Sequence, residues 1–152
     1  MQGVSVRSIT LHDVDSVLGL IHAYWQHEAI AGFDPVRLRD QLRDFLIHSV
    51  YGCGWLVEDA GATVGYLLCT FVYSFEHGGR MAEIDEFFVA QSHRGRGLGR
   101  RLLASAREEL SGRGFTMLQM QVAEGNEKAR SFYARQGFVE KSGCRLWLAP
   151  LP

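Results

Sequence analysis

The sequence predicts an α/β fold in which one mixed β-sheet is covered by helices on both faces. Apolar residues recur at every second position in some segments and at every third or fourth position in others, and the two kinds of segment are interspersed along the chain. Helices that separate the strands of a sheet pack on both of its faces. A length of 152 residues suits one core, so we predict a single domain over residues 1–152.

Composition excludes several classes of protein. Lys and Arg number 16 and Asp and Glu 17, a formal net charge of -1, which gives no electrostatic reason to expect nucleic acid or a membrane as partner. No apolar run approaches the ~20 residues that span a bilayer, and the N-terminus lacks a signal-peptide pattern. Cys53, Cys69 and Cys144 are too scattered for a disulfide framework or a zinc site. We therefore predict buried thiols, no metal and a cytoplasmic location.

Strands are predicted where apolar and polar residues alternate between turn signals. Leu118, Met120 and Val122, for example, alternate with glutamines. The segment 59–61, with the sequence Asp-Ala-Gly, indicates a hairpin turn. Six to seven strands are predicted, at residues 4–9, 55–58, 63–73, 81–89 and 118–122, with one or two closing strands within 139–148.

Four helices are predicted from start and stop signals. Asp13 lies three residues after Thr10, an imperfect capping box for the first helix. Pro35, directly after Asp34, is typical of a first helical position. Glycines end the first, third and fourth helices. The first predicted helix runs from Thr10 to 31–32, and the second begins at Asp34. The third runs from the glycine-rich loop 94–99 to 112–114, and the fourth from Asn126 to Gly137.

A glycine-rich loop lies between the strand at 81–89 and the third helix. Glycines let the backbone approach a ligand, and the free N–H groups of a helix start favour an anion such as pyrophosphate. A solvated strand-to-helix turn explains the glycine spacing equally well. No Gly-Lys-Ser/Thr follows, which excludes a Walker loop, and Gln121 stands where a dinucleotide fingerprint needs an acid. The loop comprises Arg94, Gly95, Arg96, Gly97, Leu98 and Gly99, and is followed by Arg100 and Arg101.

Three motifs, in their order and spacing, resemble the GCN5-related N-acetyltransferase (GNAT) family. They are residues 87–89, the loop 94–99, and Asn126 followed by the pair 132–133. The resemblance covers nearly the whole chain and implies the GNAT fold, whose mixed, mostly antiparallel sheet is splayed in the middle. Residues 85–89 and 122–127 are most similar to the diamine acetyltransferases that act on spermidine, spermine and thialysine.

The resemblance implies acetyl-CoA as the cofactor. The backbone of residues 87–89 is expected to pair with the pantetheine arm like an added strand, and the amides from Gly95 to Arg100 to bind the pyrophosphate. Asn126 is expected to contact the cofactor near the pantetheine. The implied cofactor-binding residues are Phe87, Phe88, Val89, Arg94, Gly95, Arg96, Gly97, Leu98, Gly99, Arg100 and Asn126.

Acetyl transfer to an amine needs a deprotonated amine, a donor for the oxyanion and a proton for the departing thiolate. The family position of Tyr133 points its hydroxyl at the thioester sulfur and makes it the candidate acid. The alternative is that Tyr133 only packs on the core beside Phe132. No Cys-His or Ser-His arrangement indicates a covalent enzyme intermediate.

Three acids, Glu83, Asp85 and Glu86, lie on the predicted strand at 81–89. In a regular strand, Glu83 and Asp85 share one face and Glu86 lies on the other, unless a bulge intervenes. In the diamine acetyltransferases, the pair that matches Asp85 and Glu86 serves the amine, the first as a water-linked base. Solvated strand carboxylates are the alternative interpretation.

Two further positions bear on the acceptor. Gln121 replaces the glutamate of ribosomal-protein N-terminal acetyltransferases, which excludes a base there. Glu28 matches a polyamine-side glutamate, although His27 replaces the expected tyrosine and a surface acid would explain Glu28 as well. Glu28 and Glu83 are thus the candidate substrate-binding residues beside the catalytic candidates.

The leading hypothesis is an enzyme that acetylates the primary amine of a small molecule: a polyamine, a thialysine-like amino acid or a drug amine. The alternatives are a protein-lysine acetyltransferase, which needs an open acceptor groove, and a non-catalytic module that senses acetyl-CoA. Because members of the family that the chain resembles commonly pair, we also predict a homodimer, with the predicted late strands around Arg145 to Leu148 apolar enough to contribute to its interface.

Overall fold

The computed structural model describes residues 3–152 and divides at Gln121 into two compact units. The first unit, up to Gln121, contains a five-stranded sheet and three helices; the second, Val122–Pro152, contains one helix. The strands are β1 Ser5–Ser8, β2 Gly52–Asp59, β3 Ala62–Ser74, β4 Gly79–Val89 and β5 Met117–Met120. The helices are α1 Val14–His27, α2 Pro35–Ile47, α3 Leu98–Gly112 and α4 Glu127–Arg135.

The sheet is mixed, as predicted, and has the strand order β1-β2-β3-β4-β5. The first three pairings are antiparallel and the pairing of β4 with β5 is parallel. Ala60 and Gly61, both with positive φ (51° and 81°), connect β2 to β3 in a two-residue loop. Two positive φ values are what the tight hairpin turn requires, so the hairpin prediction is confirmed.

Helices cover both faces of the sheet. Tyr66 and Leu68 belong to a buried apolar cluster with residues of α1 and α2. Leu67 lies between them on β3, so its side chain points to the opposite face, where it is fully buried. Trp55 of β2 donates a hydrogen bond from Nε1 to Glu109 Oε2 of α3 at 2.8 Å, which places α3 against the sheet.

The predicted helix starts agree with the structure. Asp34 accepts hydrogen bonds from the N–H groups of Val36 (3.0 Å) and Arg37 (3.1 Å), and Pro35 occupies the first position of α2. In the second unit, the Asn126 side chain caps α4 by accepting from the N–H of Ala129 at 3.1 Å. Helix α1 ends at His27, earlier than the predicted end at 31–32.

The prediction of closing strands within 139–148 is wrong. The second unit has no strand among its described residues, so the sheet has five strands rather than six to seven. Val139, Trp147 and Leu148 are 91%, 89% and 84% exposed. Their apolar character is typical of a strand in the sequence, but a strand forms only where a neighbouring strand supplies backbone hydrogen bonds.

An ion-pair network joins β1 to the start of α1. Asp13, whose side chain is 9% exposed, accepts hydrogen bonds on both oxygens from Arg7 at 2.8 Å. Arg7 also reaches Glu58 Oε1 at 2.8 Å. The Arg7 guanidinium holds the pKa of Asp13 well below its usual range.

We expect Asp13→Asn to lower the free energy of unfolding at pH 7 by about 2 kcal/mol, because it removes a charge-assisted pair. A depressed carboxyl pKa stabilises the fold above the unfolded value of about 3.9, and this contribution is lost as pH falls below it. Urea unfolding at pH 7 and below pH 4 tests this. Asp15→Asn, at a carboxylate that is 83% exposed, is the control; equal losses in the two variants would contradict the prediction.

No helix in residues 3–152 is both long and apolar enough to cross a bilayer.

Candidate active site

A β-bulge in β4 determines where the strand acids point. Ile84 pairs with Cys69 and Glu86 pairs with Leu68, so Asp85 is an extra residue without a direct partner on β3. Glu83 pairs with Thr70, and Leu68 and Thr70 lie on the same face of β3. Glu83 and Glu86 therefore share the face covered by α1 and α2. In a regular strand the two glutamates would lie on opposite faces; the bulge, the exception that the sequence-based prediction allowed, shifts the alternation by one residue.

Glu86 is held by two donors from other elements. Trp25 of α1 donates from Nε1 to Glu86 Oε2 at 2.7 Å, and Tyr66 of β3 donates from Oη to Glu86 Oε1 at 3.0 Å. Burial raises the pKa of Glu86, the two hydrogen bonds oppose that rise, and the nearby Asp85 charge adds to it. Each carboxylate oxygen is thus oriented by one N–H or O–H group.

Asp85 has a different environment from its neighbour. Its side chain is solvent-accessible, and it accepts no hydrogen bond from any residue between 3 and 152 that the structure describes. Partial desolvation by the surrounding strands, followed by the charge of Glu83, raises the pKa of Asp85. An accessible carboxylate with a raised pKa is a stronger proton acceptor than an ordinary aspartate.

The three strand acids and Glu28 form an acidic cluster, defined here as Glu28, Glu83, Asp85 and Glu86. Three of its members act together on Tyr24 of α1. The pKa of Tyr24 is raised to about 12 by burial and then by the charges of Glu86, Glu28 and Asp85. Glu83 accepts a hydrogen bond from Gln119 Nε2 of β5 at 2.5 Å. Concentrated negative charge of this kind attracts a cation such as a protonated amine.

The sheet opens beside the acidic cluster. The pairing of β4 with β5 ends at Ile84 and Met120, whereas β4 continues to Val89. On that side, residues 85–89 have no strand partner in the part of the chain that the structure describes. Their backbone groups can therefore pair with an extended ligand. Phe88 contributes only its backbone, because its side chain is buried in the core.

The glycine-rich loop presents its backbone to open space. Gly95 and Gly97 have φ values of 76° and 75°, and a Cβ at either would meet no heavy atom within 4 Å. Gly97 is the N-cap of α3, and the first hydrogen bond of the helix runs from the N–H of Arg101 to the carbonyl of Gly97 at 3.1 Å. The N–H groups of residues 98–100 therefore point out of the helix start, where an anion can accept from them.

The side chains of the glycine-rich loop differ in their contacts with the rest of the protein. Arg94 donates from Nε to the Val89 carbonyl at 2.8 Å and lies over the Phe88 ring, which ties the loop to the end of β4. Arg96 donates to Asp59 Oδ2 at 2.5 Å, an interaction with the β2–β3 hairpin that the sequence did not indicate. Arg100 is exposed and the Leu98 side chain is buried, so Leu98 offers a ligand its backbone only.

In the second unit, the two predicted site residues have structural contacts of their own. The side-chain oxygen of Asn126 is occupied by the cap of α4. The Tyr133 ring lies against Phe132 and Phe138, with ring centroids 5.2 and 5.6 Å apart. The expected contacts of Asn126 and Tyr133 with the cofactor remain predictions.

The sequence profile of the Acetyltransferase (GNAT) family matches residues 16–138, most of the chain. The chain belongs to this family. GNAT membership confirms the predicted fold and family, and acetyl-CoA, the predicted cofactor, is the acyl donor of GNAT acetyltransferases. The glycine-rich loop, with its open backbone and outward N–H groups, fits the pyrophosphate of that donor.

Comparison with known proteins finds N-acetyltransferases that are similar to much of this chain. An uncharacterised N-acetyltransferase of Methanocaldococcus jannaschii is 30% identical over 151 residues, which are 95% of this chain and 64% of that protein. The thialysine N-epsilon-acetyltransferase of Mus musculus is 28% identical over 86 residues, 57% of this chain and 50% of that protein. This chain thus matches between half and two thirds of the length of these relatives.

A solved structure has the same fold. An integron cassette protein from the mobile metagenome of Cole Harbour Salt Marsh has a TM-score of 0.85 and 27% sequence identity, covering 97% of this chain and 91% of that one. Together with the family match, this shared fold agrees with the GNAT fold that the sequence motifs imply.

Three residues of the site had no signal in the sequence. Trp25 and Tyr66 lie far from Glu86 along the chain and meet it only through the packing of α1 on the sheet and the bulge in β4. Asp59 was assigned only to a hairpin turn, and its partner Arg96 is 37 residues away. Spacing along a sequence does not reveal such pairs.

Proposed function

We propose that this chain transfers an acetyl group from acetyl-CoA to the primary amine of a small molecule, by direct attack within a ternary complex. The observation that carries the proposal is the acidic cluster beside the unpaired part of β4, in a GNAT chain with an open glycine-rich loop. The donor supplies the activated acetyl thioester. The acidic cluster selects a cationic acceptor.

The donor side is built from backbone groups. Residues 87–89 pair with the extended arm of the donor, and the N–H groups at the start of α3 bind its pyrophosphate. Arg94 and Arg100 add positive charge at the loop, and Arg96 can exchange its bond with Asp59 for a phosphate oxygen.

The acceptor side separates two tasks between neighbouring acids. An ammonium has no lone pair, so it must lose a proton before it can attack a carbonyl carbon. Asp85 accepts that proton through a water, because it is accessible and free of hydrogen bonds within the described chain. Glu86, whose oxygens are both oriented, attracts and positions the ammonium. The Tyr133 hydroxyl is the proposed donor of a proton to the departing sulfur.

The proposed acceptors are polyamines, thialysine-like amino acids and drug amines. The similarity to the thialysine N-epsilon-acetyltransferase of Mus musculus supports thialysine-like amino acids as acceptors. The test is thiol release from acetyl-CoA with a panel of one diamine, one polyamine, thialysine, one aminoglycoside and a lysine-containing peptide. Turnover of small amines above the peptide supports the proposal. Preference for the peptide would indicate a protein-lysine acetyltransferase, and binding without turnover would indicate a sensor module.

We expect Gly97→Trp to abolish the stabilisation of the protein by acetyl-CoA, because the bulky side chain would fill the mouth of the loop. With ligand near 100 times its dissociation constant, the wild-type protein should gain about 2.7 kcal/mol. Thermal unfolding with and without acetyl-CoA measures this. Gly78→Trp is a matched control, since Gly78 also has a positive φ (77°) with open space at Cβ but lies in the β3–β4 hairpin. A Gly97→Trp protein that is still stabilised would contradict the assignment of the loop.

The homodimer and the cytoplasmic location are also proposed. Leu146, Trp147 and Leu148, within the segment assigned to the dimer interface, are exposed apolar residues of the second unit, which supports their use in an interface.

A further inference from the structure

Both oxygens of Glu86 are engaged by side chains that the family motifs do not include. Trp25 Nε1 binds Oε2 at 2.7 Å and Tyr66 Oη binds Oε1 at 3.0 Å. Tyr66 is fully buried, and Trp25 packs against the apolar cluster of α1, α2 and the sheet. Two rigid rings on two different elements thus fix one carboxylate in the acidic cluster.

We propose that Trp25 and Tyr66 are positioning residues that hold the Glu86 carboxylate in one orientation, as the anion that receives the acceptor ammonium. The inference rests on the proposed amine acetylation and deepens it. It also explains why Glu86 and Asp85, adjacent in sequence, have separate tasks: the donors restrain Glu86, whereas Asp85 remains free to accept a proton.

The electrostatic argument follows from the groups around Glu86. Helix α1 contributes Tyr24, Trp25 and, at its end, Glu28; β3 contributes Tyr66; and β4 contributes Glu83 and Asp85. Burial and the charge of Asp85 oppose ionisation of Glu86, and no cation is among these groups. Arg94 is directed to the Phe88 ring and the Val89 carbonyl. Hydrogen bonds to a carboxylate favour its charged form, so Trp25 and Tyr66 are the groups that offset burial and the neighbouring negative charges.

The variants Tyr66→Phe and Trp25→Phe each remove one donor and keep an aromatic ring. Trp55→Phe is the matched control, because Trp55 is a buried tryptophan that also donates from Nε1 to a glutamate, Glu109, at 2.8 Å. Glu109 lies on α3, on the opposite face of the sheet from the acidic cluster.

The first readout is independent of activity. The carboxyl group of Glu86 is titrated by carbon NMR in protein with labelled glutamate, with its signal identified by its absence in Glu86→Gln. We expect the titration midpoint of Glu86 to rise in both donor variants and to stay unchanged in Trp55→Phe. An unchanged midpoint in both donor variants would overturn the inference. If Tyr66→Phe does not fold, Trp25→Phe decides the question.

The second readout is the pH dependence of kcat/KM for the most reactive amine. Loss of a charge-assisted hydrogen bond should raise the amine KM about tenfold or more, with the KM for acetyl-CoA unchanged, and the acid limb should move to higher pH. A uniform loss of activity with an unmoved acid limb would show a structural role only and overturn the inference. If the wild-type protein acetylates no amine, the proposed function fails, and the NMR titration still decides whether Trp25 and Tyr66 hold Glu86 ionised.

Discussion

Tyr133→Phe is expected to reduce turnover by about 10²–10⁴-fold, the usual contribution of a general acid, while acetyl-CoA affinity stays nearly unchanged. Phenylalanine keeps the ring that lies against Phe132 and Phe138, so only the hydroxyl is lost. A missing proton donor slows departure of the thiolate without altering how the cofactor binds. Initial rates with the best amine and thermal shift with acetyl-CoA measure the two effects separately.

Tyr73→Phe provides the control for this experiment. Tyr73, on β3, is 68% exposed, and loss of its hydroxyl should change neither measurement. Full turnover in Tyr133→Phe would contradict the assignment and show that another group, or solvent, protonates the thiolate.

Asp85→Asn is expected to cause a loss of similar size, about 10²–10⁴-fold, and to flatten the rise of rate with pH. Burial and the Glu83 charge raise the pKa of Asp85, so that its carboxylate is a stronger base than an ordinary aspartate. Asparagine keeps the size and shape but cannot accept the proton. Rate profiles from acid to alkaline pH measure the change.

Two further variants separate the roles of the neighbouring acids. Glu86→Gln should mainly raise the amine KM, because Glu86 attracts the cation without taking its proton. Asp40→Asn, at an exposed position of α2, should leave the rate profile unchanged. If Asp85→Asn and Glu86→Gln are both silent, Glu83 becomes the next base to test and the similarity to diamine acetyltransferases loses its main support.

The sequence predicted those parts of the fold that depend on local chemistry. The hairpin at Ala60-Gly61 follows from residues that tolerate a positive φ, and the starts of α2 and α4 follow from capping by Asp34 and Asn126. The glycine-rich loop was predicted because a run of glycines before a helix start indicates an exposed backbone with free N–H groups, whatever the rest of the fold. These features are determined by a few adjacent residues.

Features that depend on distant contacts were not predictable. The bulge at Asp85 exists only in relation to the register of β3, and it moves Glu86 to the face that carries Glu83. The donors Trp25 and Tyr66 are 61 and 20 residues from Glu86 in the chain. The prediction of closing strands was wrong because a local pattern was not supported by a distant partner. Residues 139–148 have the composition of a strand but no strand neighbour among the described residues.

The most direct test of the central claim is the mass of the amine after incubation with the protein, acetyl-CoA and the most reactive amine of the panel. Direct acetyl transfer predicts an amine heavier by one acetyl group, one equivalent of free CoA thiol, and much slower formation of both products in Asp85→Asn. An unmodified amine from every member of the panel, with acetyl-CoA still stabilising the protein, would contradict the claim and indicate a module that binds the cofactor without catalysis.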